Sequence, residues 1–261
     1  MGNRSLLEED FLSKIRNIAD ILYNYFEDQN FLFKGKAGFI LFLINFSMLV
    51  KESKYVNKLE NFIIEIFDII NKGFSNPTFA NGISGFGWLI EFLEQNGFIE
   101  INTNRTIGKL DEYLYHMMIR KIRNGNFDYL HGAGGIALYF LKRMKKFPKA
   151  KEFLFEYIDV LDEISIREEN GKRKWISDIN TKYNNTERVY NLSMSHGIAS
   201  IISILSKMYA QDINKNKSEE MLIEAVHYFL SQQHDIKEYT SYSQNKVSLE
   251  NHQSENSFLA W

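Results

Sequence analysis

The feature that most constrains the fold is a short glycine motif that recurs along the chain, each time followed by an apolar run. The pattern Gly-x-x-Gly occurs three times, and a fourth copy has serine in place of the second glycine. The first glycines of the copies are Gly35, Gly82, Gly132 and Gly197, which lie 47, 50 and 65 residues apart. Such a period is typical of an array of helical hairpins in which each repeat stacks on its neighbours.

The segments between and after the motifs predict two kinds of helix. In residues 56–72 the apolar side chains recur at spacings of three and four, which indicates an amphipathic helix with one solvent-exposed face. Residues 39–46 hold one polar residue, so we expect this helix to be buried on every side. Each repeat therefore pairs an outer helix with an inner one. If the inner helices begin at the same level around one axis, their N-termini surround a polar opening, which we call the mouth. Each N-terminus brings unpaired backbone N–H groups and a partial positive charge to it.

We expect the motif glycines to serve the start of each inner helix. A glycine permits positive φ in the preceding turn and also allows close approach of the backbone. Composition agrees with a nearly all-α chain, because only Pro77 and Pro148 would interrupt helices.

Composition also excludes several classes of protein. A net charge of −2 leaves no basic surface for nucleic acid. The longest apolar stretch, residues 39–50, is shorter than the roughly 18 residues of a transmembrane helix. The polar start of the chain does not resemble a signal peptide, so we expect a cytoplasmic protein. Without cysteine, these residues contain no disulfide, thiol nucleophile or cysteine-bound metal.

The longest spacing between motifs predicts an insertion at residues 165–191. Asn170-Gly171 is a strong signal for a hairpin turn, so we expect a small β-hairpin or flap at the mouth. It would either contact substrate or simply cover the mouth. The polar residues 235–256 lack an apolar period and predict a loop.

Candidate site residues gather before the third and fourth motifs. His131 and His196 each precede a motif glycine, where a helix N-terminus disfavours the imidazolium and leaves a neutral base or ligand. Asp128 lies four residues before Gly132, close enough to relay a proton at the same mouth. The histidines could instead bridge loops, and Asp128 could be the N-cap of its helix. We expect His131, Tyr129 and Tyr190 to contact substrate.

These motifs resemble the lanthionine synthetase C-like family, the cyclases that close thioether rings in lanthipeptides. The resemblance rests on Phe-Asp-Tyr-Leu-His-Gly-Ala-Gly-Gly-Ile at 127–136 and on Asn-Leu-Ser-Met-Ser-His-Gly-Ile at 191–198. It covers essentially the whole chain and implies an α/α toroid with seven helical hairpins. The four motifs here imply four to five of those hairpins. The resemblance therefore implies a single domain, residues 1–261, that is incomplete at its C-terminus.

The resemblance also implies a reaction, the Michael addition of a cysteine thiol to dehydroalanine or dehydrobutyrine in a peptide. His196 would be its acid and base, with Asp128 as companion. In complete family members a zinc ion binds the thiol, but its three ligands would follow Trp261. Residues 257–261 resemble the start of a fifth motif, and Phe258 stands where active members commonly have arginine. We therefore expect no metal or other cofactor in this chain, and little cyclase activity.

Other functions remain open at this stage. The resemblance implies a lanthipeptide precursor or a dehydratase as partner, and the chain could instead be a non-catalytic helical module that binds either one. An α/α toroid that acts on glycans would need two carboxylates facing each other at the mouth, and Asp128 is the only convincing candidate for one of them. An open array exposes apolar surface, which predicts self-association.

Overall fold

The structure of this chain is a computed structural model that describes residues 2–24, 30–33, 35–55, 59–180, 186–232 and 246–248. These residues form mostly α-helix, with a 3-10 helix at Ser53–Tyr55 and a few short strands. The helices are α1 (Gly2–Asn24), α2 (Lys36–Val50), α3 (Leu59–Asn71), α4 (Ile83–Gln95), α5 (Thr103–Thr106), α6 (Gly108–Arg123), α7 (Ala133–Arg143), α8 (Ala150–Glu163), α9 (Ile198–Ala210) and α10 (Lys215–Leu230). The strands are β1 (Ile166–Arg167), β2 (Arg173–Lys174), β3 (Ser177–Asn180), β4 (Thr186–Asn191) and β5 (Lys246–Ser248).

The helices form the predicted array of hairpins. The four inner helices, α2, α4, α7 and α9, each start directly after a motif glycine and contact one another in chain order. Helices α3, α6, α8 and α10 pack on the outer side of this row. The all-α prediction and the alternation of inner and outer helices are therefore confirmed.

The inner helices differ in how completely they are buried. Every residue of α7 except Lys142 is buried. The expectation of burial on every side is wrong for residues 39–46 of α2, because Phe39, Leu41 and Phe42 are only half-buried. The reason is position: α7 lies between α4 and α9, whereas α2 is the first inner helix of the row and packs against α4.

The motif glycines are required for close approach rather than for positive φ. The first glycine of each motif has extended backbone, for example φ −153° at Gly82, so the expectation of a left-handed conformation there is wrong. A Cβ on Gly82 would lie 2.3 Å from the Asn76 carbonyl oxygen, and one on Gly197 would lie 2.2 Å from that of Asn191. The chain therefore passes too close to its own backbone for any side chain.

A buried ionic cluster joins the second and third hairpins. The guanidinium of Arg143 donates to Glu91 at 2.9 Å, to Asp111 at 3.0 Å and to Thr103 at 3.2 Å. Tyr139 donates its hydroxyl proton to Asp111 as well. All five residues are at most 2% exposed, so a single cation satisfies two buried carboxylates and ties α4, α6 and α7 together.

The insertion contains two antiparallel pairs rather than one hairpin. Strands β1 and β2 pair across a turn in which Gly171 has φ +75°, as the Asn-Gly signal predicts. Strands β3 and β4 form a second pair, and β5 joins it. The prediction of a loop at 235–256 is thus wrong at β5, and the rest of that segment lies outside the described residues.

Side chains of the first pair anchor the insertion to outer helices. Arg173 is buried and forms ion pairs with Glu224 of α10 and with Asp162 of α8. The indole N–H of Trp175, which is fully buried, donates to the Leu161 carbonyl at 2.8 Å. The insertion is therefore packed as part of the fold between α8 and α10.

Candidate active site at the mouth of the helical array

Four loops, one from each repeat, lead into the inner helices. We call them mouth loops 1 to 4; each comprises the seven residues that end at a motif glycine, at 29–35, 76–82, 126–132 and 191–197, and in loop 1 the structure describes residues 30–33 and 35. Loops 2, 3 and 4 begin with asparagine. The side-chain oxygen of Asn76 accepts from the Thr78 N–H at 3.1 Å, and that of Asn191 accepts from the Ser193 N–H at 2.8 Å. This repeated asparagine is a signal that the sequence analysis did not use.

Backbone hydrogen bonds connect the described parts of the loops in order. The Phe33 N–H of loop 1 donates to the Ala80 carbonyl of loop 2 at 2.8 Å, and the Ala80 N–H donates to Leu130 of loop 3 at 2.9 Å. The Tyr129 N–H of loop 3 then donates to Ser195 of loop 4 at 3.1 Å. The mouth is therefore a continuous hydrogen-bonded rim.

Asp128 connects loop 3 to loop 4. Its Oδ1 atom accepts from the backbone N–H groups of Leu130 at 2.7 Å and His131 at 2.6 Å, while Oδ2 hydrogen-bonds Nδ1 of His196. Gly132, and not Asp128, is the N-cap of α7, so the alternative of a helix cap is wrong. Asp128 instead shapes its own loop with one oxygen and holds an imidazole with the other.

The Asp128 carboxylate determines the state of the imidazole. Partial burial opposes ionisation of Asp128, but the hydrogen bonds from His196, His131 and Leu130 outweigh it and lower the pKa of that carboxyl. The hydrogen bond to Asp128 raises the pKa of His196 above 6.5 against the opposing effect of burial. The direction of this shift is opposite to the one expected from the helix N-terminus, because the adjacent carboxylate stabilises the imidazolium.

The tautomer and exposure of His196 leave one ring nitrogen for chemistry. An ionised carboxylate only accepts hydrogen bonds, so Nδ1 carries the shared proton. No group in the described part of the chain bonds Nε2, and the side chain is 49% exposed. The backbone N–H of His196 donates to Ser193 Oγ at 3.2 Å, a contact that sequence reasoning missed. His196 therefore presents Nε2 to the mouth from a fixed loop.

His131 lies beside this pair. Its ring is nearly parallel to that of His196, with 6.4 Å between centroids and 17° between planes. Lys121 of α6 donates from Nζ to the His131 carbonyl at 3.0 Å, which places a half-buried cation behind the loop. The sequence analysis missed Lys121, since its place in the amphipathic pattern is that of an ordinary outer-helix lysine.

The two tyrosines go to different places. Tyr129 follows Asp128 and packs edge-on against Phe79 of loop 2, at 6.4 Å, so it lies on the axial side of the mouth. Tyr190 contacts the ring of Tyr228 at 5.9 Å and the ammonium of Lys174 at 4.5 Å. Those contacts place the Tyr190 ring beside α10 and β2. Its role as a substrate contact stays a prediction.

The residues present do not form the zinc site that the resemblance implies for complete family members. The sequence has no cysteine, and the described residues include no group of three or more histidine, aspartate or glutamate side chains that could hold a metal ion. Residues 257–261, with Phe258, lie outside the described residues.

Comparison with known proteins identifies the class. The sequence profile of the lanthionine synthetase C-like protein family matches residues 26–261. That match covers most of the chain, and the protein therefore belongs to the lanthionine synthetase C-like family. No curated protein sequence matches the chain.

A solved structure described as nisin cyclase is similar to the chain, with a TM-score of 0.68 at 17% sequence identity. The match covers 96% of this chain and 63% of that one, so this chain spans less than two thirds of the length of that structure. At this identity the likeness shows the fold, which is that of an α/α toroid. No helix in the described part of the chain is long and apolar enough to span a bilayer.

Proposed function

We propose that this chain supplies the acid–base pair for thioether formation in a peptide, the reaction of a lanthionine cyclase. The observation that supports this proposal is the hydrogen bond between Asp128 Oδ2 and His196 Nδ1 at the mouth. It leaves Nε2 as the exposed, basic nitrogen. The same arrangement of carboxylate and imidazole serves as an acid–base unit on unrelated folds.

The reaction needs one proton removed and one delivered. His196 Nε2 takes the proton from the cysteine thiol, and the sulfur attacks the β-carbon of dehydroalanine or dehydrobutyrine. The carbon–carbon double bond opens, and its electron pair moves into an enolate. The imidazolium then returns the proton to the α-carbon, which gives the thioether and restores His196. No step is assigned to a metal, because the residues present do not form a metal site.

Asp128 favours the half of this cycle in which His196 accepts a proton. The charge of the carboxylate stabilises the imidazolium, in keeping with the raised pKa of His196. A free cysteine thiol has a pKa near 8.5 and is only a few per cent ionised at neutral pH. Formation of the nucleophile is therefore the slow part of the reaction with these residues alone, and the rate should be far below that of a complete cyclase.

The test is thioether formation in a synthetic peptide that contains one cysteine and one dehydroalanine, followed by mass spectrometry and chiral analysis of the product. We expect the chain to accelerate closure over buffer and to give an excess of one α-carbon configuration. The variant His196→Asn should lower the rate to that of buffer and remove the excess of one α-carbon configuration, since acid–base catalysis contributes about 10²-fold or more.

The matched control is His227→Asn, which changes an exposed histidine of α10 outside the mouth. It should leave the rate unchanged. Equal rates for wild type and His196→Asn, with both folded by circular dichroism, would contradict the proposal.

One observation favours a second candidate function. The chain has the Asp128–His196 pair but no cysteine, which suits a module that binds a peptide or a dehydratase without closing rings. This reading predicts tight binding of a lanthipeptide precursor with no acceleration at all. A bound but unchanged dehydroalanine peptide in the assay above would select it.

Exposed apolar residues bear on self-association, which stays a prediction. They occur on α1 and α2 at one end of the array and on α10 at the other. The residues at the two ends are Phe11, Leu12, Ile18, Ile21, Met48, Leu49, Ile223 and Leu230, and Phe33, Ile64 and Met194 are exposed elsewhere. Large apolar side chains on two end faces favour association, which sedimentation velocity at increasing concentration would detect.

A further inference from the structure

A pocket separate from the Asp128–His196 pair lies along the axial side of α7. Its volume is about 220 Å³. The end of the pocket nearest the mouth is formed by Phe79 of mouth loop 2 and Tyr129 of mouth loop 3, and its sides are formed by α4, α7 and α9. The lining residues on these helices and just after α9 are Trp88, Leu138, Leu141, Lys142, Lys207 and Gln211.

One wall of the pocket is a row of aromatic rings that starts at the mouth. Tyr129 packs against Phe79 at 6.4 Å, Phe79 against Trp88 at 5.9 Å, and Trp88 stacks on Phe92 at 5.5 Å. Because Tyr129 directly follows Asp128 in the chain, this wall begins next to the acid–base pair. An apolar side chain of a peptide held at the mouth could lie along it without crossing a polar region.

The far end of the pocket carries two lysines with no carboxylate partner. Lys142 and Lys207 form no ion pair with any residue that the structure describes. The ammonium of Lys142 lies 5.4 Å from the centre of the Phe92 ring. Burial lowers the pKa of Lys142, and the neighbouring Lys145 lowers it further, while the charge of Glu91 acts in the opposite direction. A cation that is partly buried and forms no ion pair gains from an anion placed beside it.

We propose that this axial pocket binds a segment of the peptide substrate in which a bulky apolar side chain stands next to a carboxylate. The aromatic wall receives the apolar side chain, and Lys142 and Lys207 receive the carboxylate. This inference rests on the proposed function for the nature of the ligand, but its test measures binding and not ring closure. It names a substrate preference that the Asp128–His196 pair cannot set.

The experiment uses two short acetylated and amidated peptides that differ at one residue, Gly-Ser-Phe-Asp-Gly-Ser and Gly-Ser-Phe-Asn-Gly-Ser. Calorimetry on the full chain should show the aspartate peptide binding about 10-fold more tightly than its neutral counterpart. The double variant K142Q/K207Q should lose that difference, and each single variant should lose about 3-fold, as expected for half-exposed ion pairs. Binding of the asparagine peptide should not change.

Two controls locate the effect. Lys145→Gln removes the same charge close by, but Lys145 does not line the pocket, so this variant should bind like wild type. With Trp261 replaced by phenylalanine in both proteins, binding should also quench tryptophan fluorescence when Trp88 is present and not in Trp88→Phe, because the remaining Trp175 is fully buried.

Equal affinity for the two peptides, or a loss in Lys145→Gln as large as in the double variant, would overturn the inference, and so would quenching that persists in Trp88→Phe. The variant His196→Asn separates the two proposals. Because His196 does not line the pocket, this variant should keep the preference for the aspartate peptide, whether or not it loses ring closure. Failure of the pocket would leave the activity test unaffected.

Discussion

Mouth loop 2 and mouth loop 3 have the same length and both belong to the hydrogen-bonded rim, but only loop 3 carries reactive side chains. Four residues before the motif glycine, loop 2 has Thr78 and loop 3 has Asp128; just before the glycine, loop 2 has Asn81 and loop 3 has His131. Each loop donates one rim hydrogen bond to the next loop, through the Ala80 N–H in loop 2 and the Tyr129 N–H in loop 3. The repeat thus supplies a scaffold, and two side-chain positions decide whether a copy of it has chemistry.

The same positions explain why the reactive pair spans two loops. Asp128 lies at the fourth residue before its glycine, and His196 immediately before the next one. The partner of each reactive position is therefore in the neighbouring hairpin. A hairpin taken alone would hold half of the unit, so the chemistry depends on the packing of α7 against α9.

The largest effect should come from the buried cluster that holds the second and third hairpins in register. Arg143→Met leaves Glu91 and Asp111 buried without a cation, which typically costs about 3–5 kcal/mol of unfolding free energy. Urea denaturation would measure it. Lys149→Met breaks an exposed pair with Glu112 and should cost about 0.5 kcal/mol or less. Similar costs for the two variants would show that the cluster does not hold the hairpins together.

The next effect tests the second motif position, where three hairpins have glycine and the fourth has Ser200. A Cβ on Gly85 would lie 1.9 Å from the Phe79 carbonyl oxygen, so Gly85→Ala must displace loop 2 and should cost about 2–3 kcal/mol. Ser200→Ala only removes a hydroxyl bond to the Gly197 carbonyl and should cost about 1 kcal/mol. Thermal unfolding would measure the cost of each variant. A larger cost for Ser200→Ala than for Gly85→Ala would show that the second motif position is not equivalent in the hairpins.

A smaller pair of effects compares the loop anchors themselves. Ser193→Ala removes the acceptor of the His196 N–H and should cost about 1 kcal/mol. Thr78 Oγ1 is buried and has no hydrogen-bond partner among the described residues, so Thr78→Val should raise stability by up to about 1 kcal/mol. If Thr78→Val destabilises as much as Ser193→Ala, loop 2 also depends on its side-chain anchor.

The smallest effect concerns pH. The raised pKa of His196 gives stability that is present below about pH 6.5 and lost as the pH rises through the folded value. The lowered pKa of Asp128 gives stability that is present above about pH 3.8 and lost as the pH falls through the folded value. Wild type and Asp128→Asn should therefore differ most in unfolding free energy between about pH 4 and 6.5, by less than about 1 kcal/mol since His196 is half exposed. A difference that peaks at pH 9 would contradict the ion pair.

The helical array was predictable because its signals are local. Apolar residues at spacings of three and four predict α3, and the Asn170-Gly171 dipeptide predicts the turn between β1 and β2. The burial of α2 was predicted wrongly, since it depends on how many neighbours that helix has. The sequence also did not indicate the pairing of β5 with β4, because such a pairing joins segments more than 50 residues apart and leaves no local periodicity.

The sequence by itself determined a row of helical hairpins, the level at which the inner helices start, and a short set of candidates that included Asp128 and His196. These follow from periodicity and from glycine, whose effects act over a few residues. Only the tertiary structure decided that Asp128 bonds His196 and not its own helix, that the imidazole is therefore stabilised in its charged form, and that Tyr190 turns toward α10. Those outcomes depend on distances between atoms far apart in the chain, which packing alone establishes.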